Sequence, residues 1–300
     1  MRSYRFVTVD VFTERRFGGN PLAVFPDARG LSDAEMQALA AEFNLSETTF
    51  VLPPADPANT ACVRIFNRMH EMAFAGHPNV GTGYVLAQQG REGERSGGVL
   101  RFEEKAGLVE VKVERDAAGA LTGTTIAAPQ PLSLGAELPR ETIADCAGLS
   151  PADVRTGAHP PLAASVGIHF VLAEVTPEAL TRATPNLPAF RAAVERWPDL
   201  AGRLSLYLYA RGEDRAAIRA RMFAPLAGTW EDPATGSAAT PLACLLLSLT
   251  TDERARFAIA QGVEMGRPSL LRVEAWRAAD GLRATVGGAC VPVLSGEAQV

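Results

Sequence analysis

The chain has 300 residues, of which 47% are hydrophobic and 21% charged, so it can bury one large core or two ordinary ones and is not expected to be disordered. Its 29 Lys and Arg against 34 Asp and Glu give a net charge of -5, and the absence of long basic runs argues against nucleic acid and anionic membranes as partners. No apolar run approaches the roughly 20 residues that span a bilayer, and the first residues show no secretory pattern, so we expect a cytoplasmic protein.

The first predicted elements are a hairpin, a helix and a strand. The stretches "SYRFVTVDVF" and "PLAVFP" flank the "GGN" at residues 18–20, which tolerates the positive φ of a turn. A helix follows, because Ser32 and Glu35 form a capping-box pattern and Asn44 fits the left-handed residue after a helix end. The stretch "ETTFVLP" then indicates a strand, which places Glu47 at a helix-to-strand junction.

The second predicted helix is unusually apolar. It follows the strand pattern "ACVRIFN" and covers residues 78–89, with Pro78 in its first turn and Gly90 after its end. Gly81 and Gly83 lie inside it, and each costs about 1 kcal/mol of helix stability relative to Ala. Because the segment has almost no charged face, we expect it to be buried inside a curled sheet, with the glycines allowing close approach of the backbone.

Two domains are expected to divide near residue 130. Strand patterns at "LRFEEKAGLVEVKVERD" and "LTGTTIAAPQP" precede a proline-rich stretch, Pro129 to Pro139, which is the predicted linker. We therefore assign residues 1–130 to a first domain and 131–300 to a second, with the option that the last strand returns to the first. The second half has strand patterns at "GIHFVLAEV", "LSLYLYAR" and "AAIRARMF" and a helical pattern near 186–196.

A third apolar helix is predicted in "GTWEDPATGSAATPLACLLLSL", residues 228–249, where an acid, a proline and small residues precede an apolar run. Laying "TGSAATPLACLL" over "AGHPNVGTGYVL" pairs Gly76 with Gly236 and His77 with Ser237, at a spacing of 160 residues. The match is compatible with an internal duplication and equally with chance in a chain rich in Gly and Ala.

Both apolar helix starts have the features of an anion site. A helix N-terminus presents unpaired N–H groups and about half a positive charge, and small residues let a ligand approach the backbone. Two such starts facing each other across a cleft would hold a carboxylate-bearing substrate. The alternative is that the Gly, Ser and Thr residues only cap and pack the helices.

Five stretches between residues 10 and 269 carry a family signature: "DVFTERRFGGNPLAVF", "LAAEFNLSETTFV", "RIFNRMHEMAFAGHPNVGT", "EDPATGSA" and "QGVEMGRPS". In this order they resemble the PhzF-like phenazine-biosynthesis proteins, relatives of diaminopimelate epimerase in fold. The resemblance implies a mixed α/β fold of two similar halves, each a curled, mostly antiparallel sheet around a central helix. It also implies an active site between the halves, a homodimer, and isomerase or epimerase chemistry without a metal or organic cofactor.

The resemblance further implies roles for single residues. Glu47 in "LSETTF" matches the family's general acid/base, and His77 in "GHP" and Asp232 in "EDPATGS" match its supporting catalytic residues. Substrate-binding positions are implied at four residues, Ser46, Gly76, Gly236 and Ser237.

Two features depart from the relatives. Many PhzF-like members carry Thr-Pro where this chain has Asn67-Arg68, before the acid at Glu71, and we expect an altered strand or pocket rim there. The epimerase relatives use one cysteine at each of the two helix starts, whereas "AGHPNVGTG" and "DPATGSAAT" contain none. This favours a mechanism with one carboxylate over a two-thiol racemisation.

One glutamate suffices for such a reaction, because the base that removes a proton from one carbon can return it to another carbon on the same face. Partial burial would raise its basicity, while His77 and Asp232 would stabilise developing charge or protonate a second atom. Taken alone, Glu47 is more typical of an exposed carboxylate at a strand start, while His77 could simply cap a helix and Asp232 could be an ordinary turn residue before proline.

Other classes of site lack their sequence patterns. "HEMAFAGH" is not H-E-x-x-H, "TGSAA" is not G-x-S-x-G, and no Walker or dinucleotide glycine pattern follows a strand, which disfavours a zinc protease, a serine hydrolase and a nucleotide cofactor. Without a C-x-x-C pair, free buried thiols are expected, and neither disulfides nor a zinc site, at Cys62, Cys146, Cys244 and Cys290. Two alternatives to an isomerase stay open: a small-molecule binding protein that has lost turnover, and a hydrolase with Ser237 as nucleophile.

Overall fold

The computed structural model describes residues 1–90, 98–200 and 202–300. The chain forms two compact units, one of Met1–Ala127 with Gly287–Val300 and one of Ala128–Val286. Both units combine a sheet of mostly antiparallel strands with a few helices, which is the predicted mixed α/β class. None of the helices in these described ranges is both long and apolar enough to cross a membrane.

The first unit is a curled sheet with two helices. It contains β1 (Ser3–Val11), β2 (Asn20–Phe25), α1 (Asp33–Phe43), β3 (Glu47–Leu52), β4 (Ala61–Phe66), β5 (Glu71–Met72), α2 (Gly76–Gln88), β6 (Val99–Glu104), β7 (Gly107–Arg115), β8 (Leu121–Ala127) and, from the end of the chain, β19 (Cys290–Gln299). The predicted hairpin is confirmed, since β1 and β2 are antiparallel with Val11 opposite Asn20. β1 also pairs antiparallel with β19, which ties the two chain ends into one sheet.

The first helix has the predicted caps. The Ser32 hydroxyl accepts a hydrogen bond from the N–H of Glu35 at 3.3 Å, the Glu35 carboxylate accepts one from the N–H of Ser32 at 2.7 Å, and Asn44 has φ 52°. Because β2 and β3 are parallel neighbours, α1 is the crossover between them, and Leu22 lies opposite Glu47. The sheet register therefore fixes where Glu47 begins β3.

Helix α2 is the central helix of the first unit. It begins two residues before the predicted start, and every residue from Gly76 to Ala87 is buried. A Cβ at Gly81 would lie 2.6 Å from Leu22 Cδ2, and a Cβ at Gly83 would lie 2.5 Å from Val111 Cγ1. The prediction that these glycines permit close packing against the sheet is confirmed.

The second unit repeats the plan of a sheet with a buried central helix. It contains β9 (Ser133–Glu137), α3 (Arg140–Ala147), β10 (Val154–Arg155), β11 (Leu162–Ser165), β12 (His169–Val175), α4 (Pro177–Arg182), α5 (Leu187–Arg196), β13 (Leu206–Arg211), β14 (Ala217–Ala224), β15 (Thr229–Asp232), α6 (Gly236–Ser248), β16 (Arg254–Gln261), β17 (Ser269–Ala278) and most of β18 (Gly281–Gly288). Part of the proline-rich stretch forms β9, which pairs with β11, so that stretch is not an unstructured linker.

Strands β12 and β13 are covered on both faces. Alternate residues such as Val171, Leu206 and Leu208 pack in one apolar core with Ile143 and Phe190 of the helices α3 and α5. The helix α6 contacts β11, β12, β16 and β17, and it is buried at Gly236 and from Ala238 to Leu247. This double coverage explains why β12 is a nearly continuous apolar run.

The four cysteines are thiols outside any disulfide in the described residues, and three of them are buried as predicted. Cys146, Cys244 and Cys290 are buried, and Cys62 is half-buried. Burial raises the pKa of the Cys146 and Cys244 thiols to about 12, so neither is a thiolate at neutral pH.

Candidate active site

The first unit brings Glu47 and His77 together. Glu47 opens β3 and His77 is the second residue of α2, and the two side chains meet with 3.3 Å between His77 Nδ1 and Glu47 Oε2. The His77 side chain is 6% exposed and that of Glu47 is 16% exposed. The pair is thus nearly enclosed, with the carboxylate retaining some access from outside.

His77 is neutral at physiological pH. Burial lowers the pKa of its imidazole to about 3, and a hydrogen bond to the backbone of Pro21 offsets only part of this effect. The contact with Glu47 is therefore not an ion pair, and the ring keeps one N–H donor and one acceptor nitrogen. His77 Nε2 is buried and has no hydrogen-bond partner in the described ranges, so one ring nitrogen remains for a bound molecule.

The start of α2 has the features expected of an anion site. Its N-cap residue, Ala75, provides no side-chain cap, although the Asn79 amide donates to the Ala75 carbonyl at 3.1 Å. Gly76 is buried, and Ser46 is half-buried directly before β3. The positive end of the helix thus lies beside the Glu47–His77 pair without a side-chain acceptor for its first N–H groups.

In the second unit, Asp232 belongs to a hydrogen-bonded turn before α6. The Thr235 hydroxyl donates to Asp232 Oδ2 at 2.6 Å, and the buried Gln261 amide donates to the Asp232 carbonyl at 2.8 Å and to the Thr235 hydroxyl at 2.9 Å. The Ser269 hydroxyl donates to the Pro233 carbonyl at 2.8 Å. This network holds the Asp232 carboxylate in one orientation.

Gln261 and Ser269 are site-supporting residues that the sequence did not assign. Both lie in "QGVEMGRPS", which carried only a family resemblance. The feature of the sequence that could have identified them is their position as the polar residues at the two ends of a motif that contains two glycines. Between them Gly262 has φ 73°, and a Cβ there would lie 2.6 Å from the Pro233 carbonyl oxygen, so the motif fits closely under the turn.

The start of α6 resembles the start of α2. Its N-cap residue, Thr235, makes no side-chain cap, Gly236 is buried and Ser237 is half-buried. The Ser237 hydroxyl makes no hydrogen bond within the part of the chain that the structure describes, so no base is paired with it as a serine nucleophile requires.

Glu231, the acid next to Asp232, has a different role. Its carboxylate accepts two hydrogen bonds of 2.8 Å from Arg221, and the two side chains are 11% and 8% exposed. Arg221 also donates to the carbonyls of Leu180 at 3.0 Å and Ala183 at 2.7 Å. Glu231 therefore fixes β15 to β14 and the helix α4, and its carboxylate is fully used in doing so.

Glu104, at the end of β6, was not predicted from the sequence. Both carboxyl oxygens are buried, and burial raises the pKa of Glu104 to about 8, with the neighbouring Asn79 amide offsetting part of the shift. Glu104 is therefore mostly protonated at pH 7, next to the first turn of α2. No sequence pattern distinguishes it from the neighbouring Glu103, whose pKa is lowered by hydrogen bonds from Asn59 and the backbone.

We expect Glu104→Gln to become more stable relative to the wild type as pH rises from 4.5 to 8. In this interval the unfolded chain releases the Glu104 proton while the folded chain retains it, so the wild type loses free energy of unfolding, by on the order of 4 kcal/mol in total. Urea unfolding at pH 5 and pH 9 measures this difference. Glu103→Gln is the matched control, and its stability relative to the wild type should not rise in this way. If the stability of Glu104→Gln relative to the wild type were the same at both pH values, Glu104 would not be buried in its protonated form.

No group of three or more His, Cys, Asp or Glu side chains that could hold a metal ion occurs in residues 1–90, 98–200 and 202–300.

Comparison with known proteins assigns the chain to a family. The family described as "Phenazine biosynthesis-like protein" (PhzC-PhzF) matches residues 9–296. The chain belongs to this family. An uncharacterized isomerase of Mesorhizobium japonicum is 38% identical, with 99% of each chain covered, and the trans-2,3-dihydro-3-hydroxyanthranilate isomerase of Pseudomonas chlororaphis is 35% identical, with 95% of each covered.

A solved structure supports the same assignment. The PhzF-family protein of Bacillus anthracis is 25% identical and superposes with a TM-score of 0.88, covering 100% of both chains. The predicted PhzF-like, diaminopimelate epimerase-like fold is therefore confirmed, and the chain is an isomerase of the PhzC-PhzF family.

Asn67, where the sequence departs from the PhzF pattern, lies in the turn between β4 and β5. Asn67 Oδ1 accepts hydrogen bonds from the N–H groups of Met69 at 2.7 Å and His70 at 2.8 Å, which makes a tight turn between β4 and β5. Beyond it, Arg64 binds the Glu71 carboxylate through two hydrogen bonds of 2.7 Å. Asn67 thus supplies turn chemistry at this position, and Glu71 is engaged in an ion pair.

Proposed function

We propose that this PhzF-family isomerase moves a proton between two carbon atoms of one small carboxylate, with Glu47 as the general acid and base. The observation that carries the proposal is the 3.3 Å contact between the Glu47 carboxylate and His77 at the start of α2. A carboxylate beside a neutral, buried imidazole is an acceptor for a carbon-bound proton, with a hydrogen-bonding group next to it. Neither a metal nor an organic cofactor takes part in the proposed reaction.

The substrate carboxylate is bound by the two helix starts, across a cleft between the two units. Gly76 with Ser46 forms one side of this site, and Gly236 with Ser237 forms the other. Two arguments support this assignment: neither helix start has a side-chain cap, and each offers free N–H groups at the positive end of a buried helix.

In the proposed reaction, Glu47 both removes the proton and returns it. The carboxylate takes a proton from one carbon, the electron pair left behind shifts along the substrate, and the same carboxyl group returns the proton to the second carbon. The neutral, buried His77 supports the charge that develops beside Glu47, and Asp232, oriented by Thr235, stabilises a second atom or lends it a proton that it takes back before the product leaves. No proton is gained or lost over the cycle.

The relative from Pseudomonas chlororaphis suggests a substrate class. Its name specifies trans-2,3-dihydro-3-hydroxyanthranilate, a small cyclic carboxylate, and we propose that this chain acts on a compound of that type. The proposal further includes a cytoplasmic homodimer that binds neither nucleic acid nor membrane.

Incubation with small cyclic carboxylates in D₂O tests the proposed function. We expect trans-2,3-dihydro-3-hydroxyanthranilate, or a related compound that binds saturably, to be converted to an isomer, with hydrogen exchanged or moved between its carbons as followed by proton NMR. A compound that saturates the protein without any change at carbon would indicate a binding protein, and release of two products would indicate a hydrolase. Either outcome contradicts the isomerase mechanism.

A further inference from the structure

The second unit contains a cavity of about 920 Å³ that none of the proposed chemistry uses. The last turn of α6, the strands β12 and β13 and the start of β16 border it. Since α6 has 13 residues and a helix rises 1.5 Å per residue, this cavity lies roughly 20 Å from the helix start at Gly236 and Ser237. We call it the basic cleft.

The basic cleft carries an excess of positive charge in a chain whose net charge is -5. Among the described residues, two acidic side chains, Glu174 and Asp252, line it together with five arginines, Arg155, Arg211, Arg215, Arg254 and Arg256. Such a concentration of guanidinium groups in a concave site attracts anions.

Two of these guanidinium groups, both on exposed residues, have no partner among the residues that the structure describes. Arg211 binds Glu174 at 2.6 and 3.1 Å, and Arg254 and Arg256 share Glu274 at 3.0 and 3.4 Å. By contrast, the side chains of Arg155 and Arg215 form neither an ion pair nor a hydrogen bond with any described residue. Two unpaired cations at one cavity are best matched by a ligand with a double negative charge.

Glu174, one of the lining residues, belongs to a buried hydrogen-bonded network. His159 Nδ1 donates to the Pro160 carbonyl at 2.6 Å, and His159 Nε2 lies 2.6 Å from the Tyr209 hydroxyl. The same hydroxyl lies 3.4 Å from Glu174 Oε2, and Glu174 in turn holds Arg211. His159, Tyr209 and Glu174 are all at most 6% exposed, so Arg211 has a rigid support and its orientation does not have to be fixed on binding.

One feature of the fold opposes an anion here, because the last turn of α6 brings the negative end of a helix to the cleft. Arg277 reduces this effect by donating to the carbonyls of Leu247 at 3.3 Å and Thr250 at 2.7 Å. The remaining helix charge is about half an elementary charge, which is small against the excess of guanidinium groups.

We propose that the basic cleft binds a phosphorylated small metabolite. Guanidinium groups form paired, directional hydrogen bonds with phosphate oxygens, and the double negative charge of a phosphate group matches the two positive charges of Arg155 and Arg215. Leu249, which is 47% exposed, and Phe257 provide an apolar wall for the organic part of the molecule. The volume lies within the range of about 300 to 1,000 Å³ that is usual for small-molecule sites.

Titration of the full-length protein with inorganic pyrophosphate at constant ionic strength tests the proposal, with calorimetry as the readout. We expect saturable binding at one site per chain. The double variant Arg155→Gln/Arg215→Gln should bind at least about tenfold more weakly, because a hydrogen bond to a charged group contributes about 1.5 to 3 kcal/mol. Arg191→Gln, which replaces an exposed arginine on α5 outside the cleft, is the matched control and should bind as the wild type does.

Three results would overturn the proposal. The first is the absence of saturable binding, and the second is equal affinity in the double variant, which would place the anion elsewhere, for example at the helix starts. The third is a change in molar mass of the double variant by sedimentation, which would assign the face to contact with a second copy of the chain. Failure of the proposed isomerase reaction would leave all three readouts unaffected, since none depends on turnover.

Discussion

Replacement of Glu47 by Gln should lower the rate of proton transfer by about 10²- to 10⁴-fold while leaving the fold intact. The amide has nearly the shape of the carboxyl group but cannot accept a proton at useful pH, so both the removal and the return of the proton are lost. Because Gln has nearly the same volume as Glu, the exchange leaves no cavity around this side chain, which is 16% exposed. Solvent-deuterium incorporation into the substrate measures the effect.

Two controls give this result its meaning. Thermal unfolding of Glu47→Gln should occur close to the wild-type temperature, and Glu42→Gln, on the exposed surface of α1, should keep full activity. His77→Gln should cost less than Glu47→Gln if His77 only supports charge. Hydrogen exchange by folded Glu47→Gln at nearly the wild-type rate would show that His77 or Asp232 is the base.

Substitutions of the neighbouring acids Glu231 and Asp232 should have opposite effects on stability and on turnover. Glu231→Ala leaves the buried Arg221 without its carboxylate, and we expect a loss of about 3 to 5 kcal/mol in free energy of unfolding, with activity per folded molecule little changed. Asp232→Asn keeps an acceptor for the Thr235 hydroxyl, so its stability should change by less than about 1 kcal/mol. Its turnover should nevertheless fall roughly ten- to hundredfold, because a charged group is lost from the site.

Urea unfolding and substrate-saturated turnover, measured on the same two preparations, separate these effects. The Arg221→Met/Glu231→Leu double variant is the control for the ion pair, since removing both charges should restore much of the stability that Glu231→Ala loses. If Glu231→Ala were inactive but as stable as the wild type, or Asp232→Asn fully active but strongly destabilised, the assignment of roles within "EDPATGS" would be reversed.

The sequence predicted those parts of the fold that depend on neighbouring residues. The caps of α1 at Ser32 and Asn44 follow from contacts within a few residues. Similarly, the lack of charge in α2 and α6 was enough to predict their burial, and the two helices begin at the paired residues Gly76 and Gly236.

Features that depend on distant residues could not be read from the sequence. Gln261 reaches the turn of Asp232 from 29 residues away, and the burial of Glu104 depends on how the end of β6 lies against α2. The arginines of the basic cleft come from several separate elements, so no local pattern marks them. Glu47 was assigned only through the family resemblance of "LSETTF", and its pairing with His77 arises because β3 and α2 meet in the folded unit.

A crystal structure of the Glu47→Gln variant with bound substrate, or with a non-reacting carboxylate analogue, tests the central claim most directly. We predict one ligand whose carboxylate accepts hydrogen bonds from the first N–H groups of both α2 and α6, near Gly76 and Gly236. The reacting carbon should lie within about 3.5 Å of the side chain at position 47. A ligand bound at only one helix start, or with position 47 out of reach of its carbon atoms, would contradict the account.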